Sequence, residues 1–410
     1  MVEVTYALLT VSLILFFGFF AEFIFKRFHI PDILFLILLG FILGPYVTGY
    51  LKPEQFSSIA PFFTAFALLF LLYDGAFNID LASFAKGLSI SIWVTLFNFF
   101  ISVIAISGIL FLLKFDIRIA LLTGFILGGV SSAFVIPTLK QLNVKGEIYS
   151  VLTLESALTD VLCIVFAFTV MEIIKLNTFS FKVISGQIAS LFAVAGIIGI
   201  ISGAVWIIIV RRVLKQNKSY IATIAYLLLV YVITEYLGGN GAIASLFFGL
   251  VLKNSKQLIN IFRIIIRKKA NPKKEANGYE ASLATPTEQL FYSQISFFLK
   301  TFFFVYIGIL FNIRDIKVLL IGAVLAIAIM LARNLSKFVS KRFDNEHREL
   351  MKSIFARGLA AAAIAQVVIL NKIEGAVIIQ NITYTVIIFT ILLSSIKIYL
   401  FKRKMPIAQN

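Results

Sequence analysis

Residues 153–170 read TLESALTDVLCIVFAFTV and place Glu155, Thr159 and Asp160 inside a run that is otherwise apolar. The run extends over residues 147–175, which is long enough for a helix that crosses a bilayer. An ionised group at the bilayer centre costs from about 2.5 to about 10 kcal/mol or more, so an acid kept there is a candidate functional group. With 3.6 residues per turn, Glu155 and Asp160 point about 140° apart and therefore face different neighbours.

The remaining sequence has the same apolar character. Of 410 residues, 60% are hydrophobic and 14% are charged, which is typical of a membrane protein and not of a soluble one. We therefore predict an all-α polytopic membrane protein with about 13 transmembrane helices. The predicted segments are 4–25, 31–50, 58–78, 87–113, 117–141, 147–175, 183–213, 217–237, 238–252, 286–311, 315–337, 347–371 and 380–403.

Several function classes are excluded by composition and motifs. The net charge of +17 comes from basic residues between the apolar runs, so we predict no nucleic-acid partner. The single cysteine, Cys163, leaves no internal disulfide, and the two histidines, His29 and His347, lack metal-ligand spacing. No Walker lysine loop and no dinucleotide-binding glycine motif occurs, so we predict no cofactor and no ATP-driven step.

The positions of lysine and arginine predict the topology, because cytoplasmic loops retain positive charge. With the N-terminus outside and the C-terminus cytoplasmic, the inner loops hold 25 of the 37 basic residues, the outer loops hold 8 and the spans hold 4. We therefore predict a multi-pass protein of the cell membrane. The one long connection, residues 253–285, begins with a basic amphipathic stretch that should lie on the inner surface of the lipid bilayer. A solvated loop is an equally good interpretation of its second half.

An odd number of segments with similar features at matching places suggests two inverted-topology repeats, segments 1 to 6 and 8 to 13, joined by segment 7. Segment 5 contains LGGVSSAFVIP (127–137) and segment 12 contains ARGLAAAAIAQ (356–366). Glycine, proline and small residues at this depth predict interrupted helices, which offer backbone carbonyls and helix ends to an ion. Close packing between helices is the alternative explanation of such runs.

Five motifs together resemble the cation:proton antiporter superfamily, the sodium/proton exchangers. They are IPDILFLILLGFILGP (30–45), LLYDGAFNIDL (71–81), TLESALTD (153–160), LARNL (331–335) and RGLAAAA (357–363). None of them is decisive alone. Their order and their spread over nearly the whole chain make the resemblance specific.

The resemblance implies that Asp160 binds a cation and a proton in competition. The sequence departs from the family pattern at Thr159, where exchangers carry Asn or Asp, and at Ser131 and Ser132, where many carry Asp and Pro. Asp74 occupies the place of a glutamate that helps to hold the ion in one branch of the family. A helix-end residue near the inner surface is the alternative interpretation of Asp74. The implied site of hard oxygen ligands for Na⁺, Li⁺ or K⁺ comprises Asp160, Asp74, Ser131, Ser132, Ser156 and Thr159.

The other charges inside the predicted spans also have places in the family pattern. The resemblance implies a structural ion pair between Glu155 and Arg333, because an unpaired charge at either position would be costly. Arg357 is the alternative partner of Glu155, or a basic neighbour of the ion site. Three roles are open for Lys300: a bond to Thr159 or to segment 12 carbonyls, loss of its proton after desolvation, or extension to the membrane surface.

The predicted activity is antiport of a monovalent cation against protons, with Na⁺ first and Li⁺ next. Antiport of K⁺ is the alternative, a cation channel is less favoured, and we predict no enzymatic site. Because Thr159 is not an acid, one Asp serves both ions and the exchange should be electroneutral. The resemblance also implies a homodimer with elevator-like movement. The predicted parts are a scaffold and dimerisation domain (1–78 and 217–311), a core domain (87–175 and 315–403), a linking helix (183–213) and the cytoplasmic loop (253–285).

Overall fold

The computed structural model describes most of the chain. The described residues are 2–28, 31–56, 59–77, 90–176, 181–210, 212, 220–255 and 286–404. Within them the chain forms helices and turns and no strand, which confirms the all-α prediction for this part of the chain. Most of the predicted cytoplasmic loop, residues 256–285, lies outside the described residues.

Fifteen α-helices occur within the described residues. They are α1 (Val2–Phe28), α2 (Asp32–Leu43), α3 (Ala60–Phe77), α4 (Ile90–Leu112), α5 (Ile117–Ile126), α6 (Ser132–Gln141), α7 (Gly146–Leu176), α8 (Phe181–Ile209), α9 (Tyr220–Tyr236), α10 (Gly241–Lys253), α11 (Pro286–Leu310), α12 (Ile316–Asn334), α13 (Asn345–Ser353), α14 (Leu359–Leu370) and α15 (Ala376–Lys404). Predicted segments 5 and 12 each contain two of these helices, α5 with α6 and α13 with α14. Both interruptions are therefore confirmed, while the count of 13 crossings and the inverted repeats stay predictions.

Five of the described helices are long and apolar enough to cross a membrane by themselves. The qualifying stretches are Ser91–Leu112, Gly146–Leu176, Ala189–Ile209, Ile316–Phe338 and Ala376–Arg403. Shorter apolar helices of 10 to 17 residues accompany them. This pattern is typical of a multi-pass membrane protein with interrupted helices, because each half of an interrupted helix is too short to span the bilayer alone.

Helix α2 is shorter than the predicted segment 31–50. It ends at Leu43, where Gly44 forms the C-terminal cap and donates its backbone N–H to the Phe41 carbonyl. The following residue, Pro45, has no N–H with which to continue the helix. The predicted end at residue 50 is therefore wrong, and the glycine and proline of this motif explain the earlier stop.

The chain divides into two compact units. The first comprises Met1–Leu68, Ile90–Phe179 and Phe297–Asn410, and the second comprises Leu69–Ser89 and Ser180–Ser296. In the first unit, α4 packs against α5, α7 and α12, and α15 packs against α12 and α14. Helices α5, α6 and α14 all pack against α7. Both interrupted segments therefore contact the helix that carries the buried acids.

A buried hydrophobic cluster joins α6, α7 and α13 in the first unit. Val135 and Leu139 on α6, Val151 on α7 and Met351 on α13 are each at most 1% exposed. Lipid is as apolar as these side chains, so van der Waals packing rather than exclusion of water holds them together. The cluster fixes one half of each interrupted segment against α7.

In the second unit, α8, α9 and α10 pack against one another. Gly199 on α8 approaches α10 so closely that a Cβ atom would lie 2.5 Å from the Ala244 carbonyl oxygen. The Trp206 indole donates a hydrogen bond of 3.2 Å to Thr223 and stacks on the Tyr226 ring. A small residue and an aromatic pair thus hold these helices together, as is common in membrane bundles.

Candidate functional site

Both interrupted segments leave stretches of non-helical backbone inside the first unit. Residues 127–131, which separate α5 from α6, are called the first break below, and residues 354–358, which separate α13 from α14, are called the second break. The helix ends at a break expose backbone N–H and C=O groups that need partners, because lipid provides none.

The two breaks contact each other. The backbone N–H of Ser131 donates a hydrogen bond of 2.8 Å to the Ala356 carbonyl. Gly358 faces the Ser131 side chain so closely that a Cβ atom at position 358 would collide with it. Position 358 therefore has no room for a side chain. The contact joins segment 5 to segment 12 at the points where their helices are interrupted.

Arg357 forms a second link between the breaks. Its side chain is fully buried, and one guanidinium nitrogen donates a hydrogen bond to the Gly129 carbonyl in the first break. Its own backbone N–H donates to the hydroxyl of Thr390 on α15 at 3.1 Å. The positive charge of Arg357 thus lies beside a carbonyl that the interruption of segment 5 leaves open.

Glu155 forms an ion pair with Arg333. Two guanidinium nitrogens of Arg333 donate to the two carboxylate oxygens, one of them at 2.9 Å, and its Nε donates to the Met351 carbonyl at 2.8 Å. The side-chain amide of Asn98 on α4 donates to Glu155 at 2.9 Å. Of the two candidate partners, Arg333 is the one that pairs with Glu155, whereas Arg357 bonds to the first break. Such a densely bonded pair offsets much of the penalty of burying two charges.

Thr159 and Asp160 connect α7 to the end of the first break and to the start of α6. The Val130 backbone N–H donates to the Thr159 hydroxyl at 3.0 Å, and this hydroxyl donates to the Ser156 carbonyl at 3.2 Å. The Ser132 hydroxyl donates to an Asp160 carboxylate oxygen at 2.7 Å. Asp160 is half-buried, and it faces the first break rather than the partners of Glu155.

The remaining hydroxyls of the predicted site have different surroundings. Ser156 is fully buried, and its hydroxyl donates to the Thr153 carbonyl within α7 at 2.9 Å. The buried Ser131 hydroxyl has no hydrogen-bond partner among the described residues. An unpartnered buried hydroxyl is able to accept a ligand. The structure thus brings Ser132 directly onto Asp160 and places Ser131 in the adjoining break.

Asp74 belongs to the second unit. It lies in the last turn of α3 and is half-buried. The neighbouring Tyr73 hydroxyl donates to the Tyr292 hydroxyl at 2.9 Å, which ties this turn to α11. The role of Asp74 as a cation ligand stays a prediction.

Lys300 has a partner that the sequence patterns do not reveal. Its Nζ lies 2.5 Å from a carboxylate oxygen of Asp32, at the start of α2. No hydrogen bond joins Lys300 to Thr159 in the part of the chain that the structure describes; the Thr159 hydroxyl is already bonded to the first break and to its own helix. The suggested bond to Thr159 is therefore replaced by an ion pair. The available signal was Asp32 itself, an acid at the head of an apolar run.

Asn98 and Thr390 are two further contributors that motif reasoning missed. The side-chain amide of Asn98 donates a hydrogen bond to Glu155, and the Thr390 hydroxyl accepts the Arg357 backbone N–H in the second break. An amide in the middle of the apolar α4 is a signal for a buried polar partner. A threonine is a weaker signal, because its hydroxyl can bond to a carbonyl of its own helix.

Comparison with known proteins identifies the family of the chain. The family model “Sodium/hydrogen exchanger, transmembrane” matches residues 11–402. The chain belongs to this family. It is 25% identical over 381 residues to the K(+)/H(+) antiporter NhaP2 of Shewanella oneidensis, an alignment that covers 90% of the chain and 61% of that protein. It is 29% identical over 204 residues to the “Probable Na(+)/H(+) antiporter 2” of Methanocaldococcus jannaschii, covering 48% of the chain and 46% of that protein.

A solved structure has the same fold as this chain. The sodium proton antiporter MjNhaP1 of Methanocaldococcus jannaschii, determined at pH 8, matches with a TM-score of 0.72 and 23% identity over 96% of each chain. The resemblance to the sodium/proton exchangers is therefore confirmed at the level of family and fold. The chain spans about three fifths of the length of the NhaP2 relatives that it matches.

Proposed function

We propose that this protein is a secondary antiporter that exchanges a monovalent cation for a proton, with Asp160 as the shared carrier. The observation that carries the proposal is the position of Asp160, a half-buried carboxylate beside the first break and bonded to Ser132. Membership of an exchanger family supports transport rather than an enzymatic reaction.

A carboxylate in this position can hold a proton or a cation, but not both at once. As an anion, Asp160 accepts the hydrogen bond from Ser132 and offers oxygen to a hard cation. As a neutral acid, it donates its proton while the Ser132 hydroxyl rotates to accept. Both states keep their polar groups satisfied, so alternation between them couples the two ions.

The other ligands in the proposal come from the first break and from Asp74. The unpartnered hydroxyl of Ser131 is the best placed, because it can accept a cation without losing a bond. Thr159 and Ser156 already donate to carbonyls of α7, so only their remaining lone pairs are available. Asp74 enters the proposal on the sequence resemblance, as the second carboxylate.

Glu155 and Arg333 have a structural role in the proposal. Their four hydrogen bonds link α7 to α4, to α12 and to the end of α13. An acid bonded in this way is not available to a mobile ion. Of the two acids in the middle of α7, Glu155 and Asp160, the proposal therefore assigns ion exchange to Asp160.

Na⁺ is the proposed cation, with Li⁺ as a second substrate. The relative named a probable Na(+)/H(+) antiporter supports Na⁺, whereas the NhaP2 relatives, named K(+)/H(+) antiporters, support K⁺ as the second candidate. Carboxylate and hydroxyl oxygens suit all three ions. The choice therefore needs a direct comparison of Na⁺, Li⁺ and K⁺.

One cation exchanged for one proton moves no net charge, so the proposed cycle is electroneutral.

The proposal includes a homodimer in the cell membrane with the N-terminus outside, the C-terminus cytoplasmic and 13 spans in two inverted repeats. The interruptions at matching places in segments 5 and 12 support the repeats. A core moves elevator-like against a scaffold, with the parts bounded as predicted: scaffold 1–78 and 217–311, core 87–175 and 315–403, linking helix 183–213 and inner-surface loop 253–285.

The test of the proposal is cation–proton exchange in proteoliposomes. A pH-sensitive dye should report loss of an imposed pH gradient when Na⁺, Li⁺ or K⁺ is added to wild-type protein. Asp160→Asn keeps the shape but not the exchangeable proton, so it should abolish the response. Asp116→Asn is the matched control at an exposed helix cap and should exchange at the wild-type rate. Wild-type exchange by Asp160→Asn would disprove the assignment.

A further inference from the structure

The side chain of Ser131, a ligand in the proposed site, lies directly against Gly358 of the second break. A Cβ atom at position 358 would collide with the Ser131 hydroxyl and would lie 2.5 Å from the Ser131 Cβ atom and 3.5 Å from its Cα atom. The hydroxyl alone can rotate to another staggered position, but the Cβ atom is fixed by the backbone. A side chain at position 358 would therefore displace the backbone of the first break, and the Ser131 hydroxyl with it.

The space beside Ser131, and not the backbone conformation, is what position 358 requires of its residue. The φ angle of Gly358 is −160°, which is extended backbone that any residue adopts. The three heavy atoms nearest to an added Cβ atom all belong to Ser131. A substitution at this position therefore acts through its contact with Ser131.

The first break has little space in which to yield, because α7 and α4 enclose its other sides. A Cβ atom at Gly129 would lie 2.7 Å from the Cys163 sulfur and 3.0 Å from the Thr159 carbonyl oxygen, both on α7. A Cβ atom at Gly128 would lie 2.8 Å from the Phe99 ring of α4. A push from the second break is therefore not absorbed by a gap on the far side.

The second break holds the backbone of Ser131 as well as its side chain. The Ser131 backbone N–H donates to the Ala356 carbonyl at 2.8 Å, and the next side chain, that of Ser132, donates to Asp160 at 2.7 Å. The buried Ser131 hydroxyl has no hydrogen-bond partner among the described residues. The one side chain of the first break that is free to take a ligand is thus placed by segment 12.

We propose that Gly358 is a positioning residue of the exchange, which sets the place of the Ser131 hydroxyl and thereby the affinity of the site for its cation. Gly358 offers no side chain to the ion and acts through Ser131 alone. The first break then supplies the ligand, and the second break fixes where that ligand lies. This inference rests on the proposed function of Asp160 and adds a residue of segment 12 to the site.

The experiment measures the cation concentration for half-maximal exchange in proteoliposomes, with the cation that wild type exchanges best. Gly358→Ala should raise that concentration about tenfold, because the displaced hydroxyl loses its contact with a charged ion. Ser131→Gly should raise it to a similar degree, because the hydroxyl is removed. Gly108→Ala on α4 is the matched control, since no heavy atom lies within 4 Å of the added Cβ atom, and it should behave as wild type.

The double change Ser131→Gly with Gly358→Ala separates positioning from general damage to the fold. With the Cβ atom and hydroxyl of residue 131 removed, the alanine has space, so the concentration should equal that of Ser131→Gly to within about twofold. An increase in the double variant as large as the one that Gly358→Ala causes by itself would overturn the inference, because the effect would then not pass through Ser131. A wild-type value in Gly358→Ala or in Ser131→Gly would also overturn it.

If Gly358→Ala does not fold, the double variant decides. Folding of the double variant with the half-maximal concentration of Ser131→Gly supports the inference, and failure of the double variant to fold overturns it. Failure of the proposed function is recognised separately, as exchange at the wild-type rate by Asp160→Asn.

Discussion

The two breaks hold matching places in the predicted repeats, yet different helices satisfy their backbone groups. The second break is supported by α15, where Thr390, Ser394 and Lys397 bond to backbone groups in the break or just before it, at 3.1, 2.6 and 3.1 Å. The spacing of four and three positions places these side chains on one face of α15. Segment 12 is thus stabilised along a helix that carries none of the proposed carrier residues.

The first break is supported by α7, the helix that carries the proposed carrier. The Thr159 hydroxyl accepts the Val130 N–H, and the next residue, Asp160, bonds to Ser132 at the start of α6. In the proposed cycle, a change of proton or cation on Asp160 would therefore act first on this half-helix. Among the described residues, segment 12 contacts Asp160 only through segment 5 and is bonded along α15 instead.

The largest effect is expected for the ion pair that connects α7 to the end of α13. Either Glu155→Ala or Arg333→Ala leaves a buried charge unpaired and should lower the free energy of unfolding in detergent by about 3 to 5 kcal/mol. The double change should recover part of that loss, because no unpaired charge remains. Strictly additive losses in the double-mutant cycle would show that the two residues are not coupled.

A smaller effect is expected for the link between the breaks. Arg357→Gln removes the charged donor from the Gly129 carbonyl and should lower the free energy of unfolding by about 1.5 to 3 kcal/mol. Arg357→Lys keeps the charge and should recover part of this loss and part of the exchange rate. Thermal unfolding in detergent and dye-based exchange measure both quantities. Unchanged stability of Arg357→Gln would mean that this link does not hold the breaks together.

The smallest effects are expected when a single hydroxyl is removed. A comparison of two such substitutions distinguishes the two breaks most clearly. Ser394→Ala, at the second break, should lower the free energy of unfolding by about 1 kcal/mol and leave the cation concentration for half-maximal exchange unchanged. Ser132→Ala, at the first break, should raise that concentration by about tenfold, because it removes a hydrogen bond to the proposed carrier carboxylate. The same behaviour in both variants would remove the proposed difference between the breaks.

Hydropathy was sufficient to predict the helices, because in lipid every backbone group must be satisfied within a helix or by a specific neighbour. The same rule is why glycine, proline and small residues in segments 5 and 12 predicted interruption, although close packing between helices also explains such runs. The early end of α2 has a local cause, since Gly44 caps the helix and Pro45 has no N–H with which to continue it. The predicted bounds of that segment were too generous because the turns after Leu43 are also apolar.

The partners across the fold could not be predicted to the same degree. Asp32 and Lys300 lie 268 positions apart, and each has an ordinary local explanation, as a first-turn acid and as a lysine that extends to the membrane surface. Thr390 bonds to the Val386 carbonyl of its own helix as well as to the second break, so its sequence context does not reveal the second role. The motif resemblance predicted that Glu155 pairs with an arginine, and left Arg333 and Arg357 as candidates. Only the three-dimensional contacts show that Arg333 is the partner.

The most direct test of the central claim is to count the protons released when the purified protein binds the cation that it exchanges best. In weakly buffered detergent solution with a pH indicator, wild type should release about one proton for each cation bound, because the cation displaces the proton from Asp160. Asp160→Asn should release none. Proton release by Asp160→Asn equal to that of wild type would contradict the assignment of Asp160 as the shared carrier.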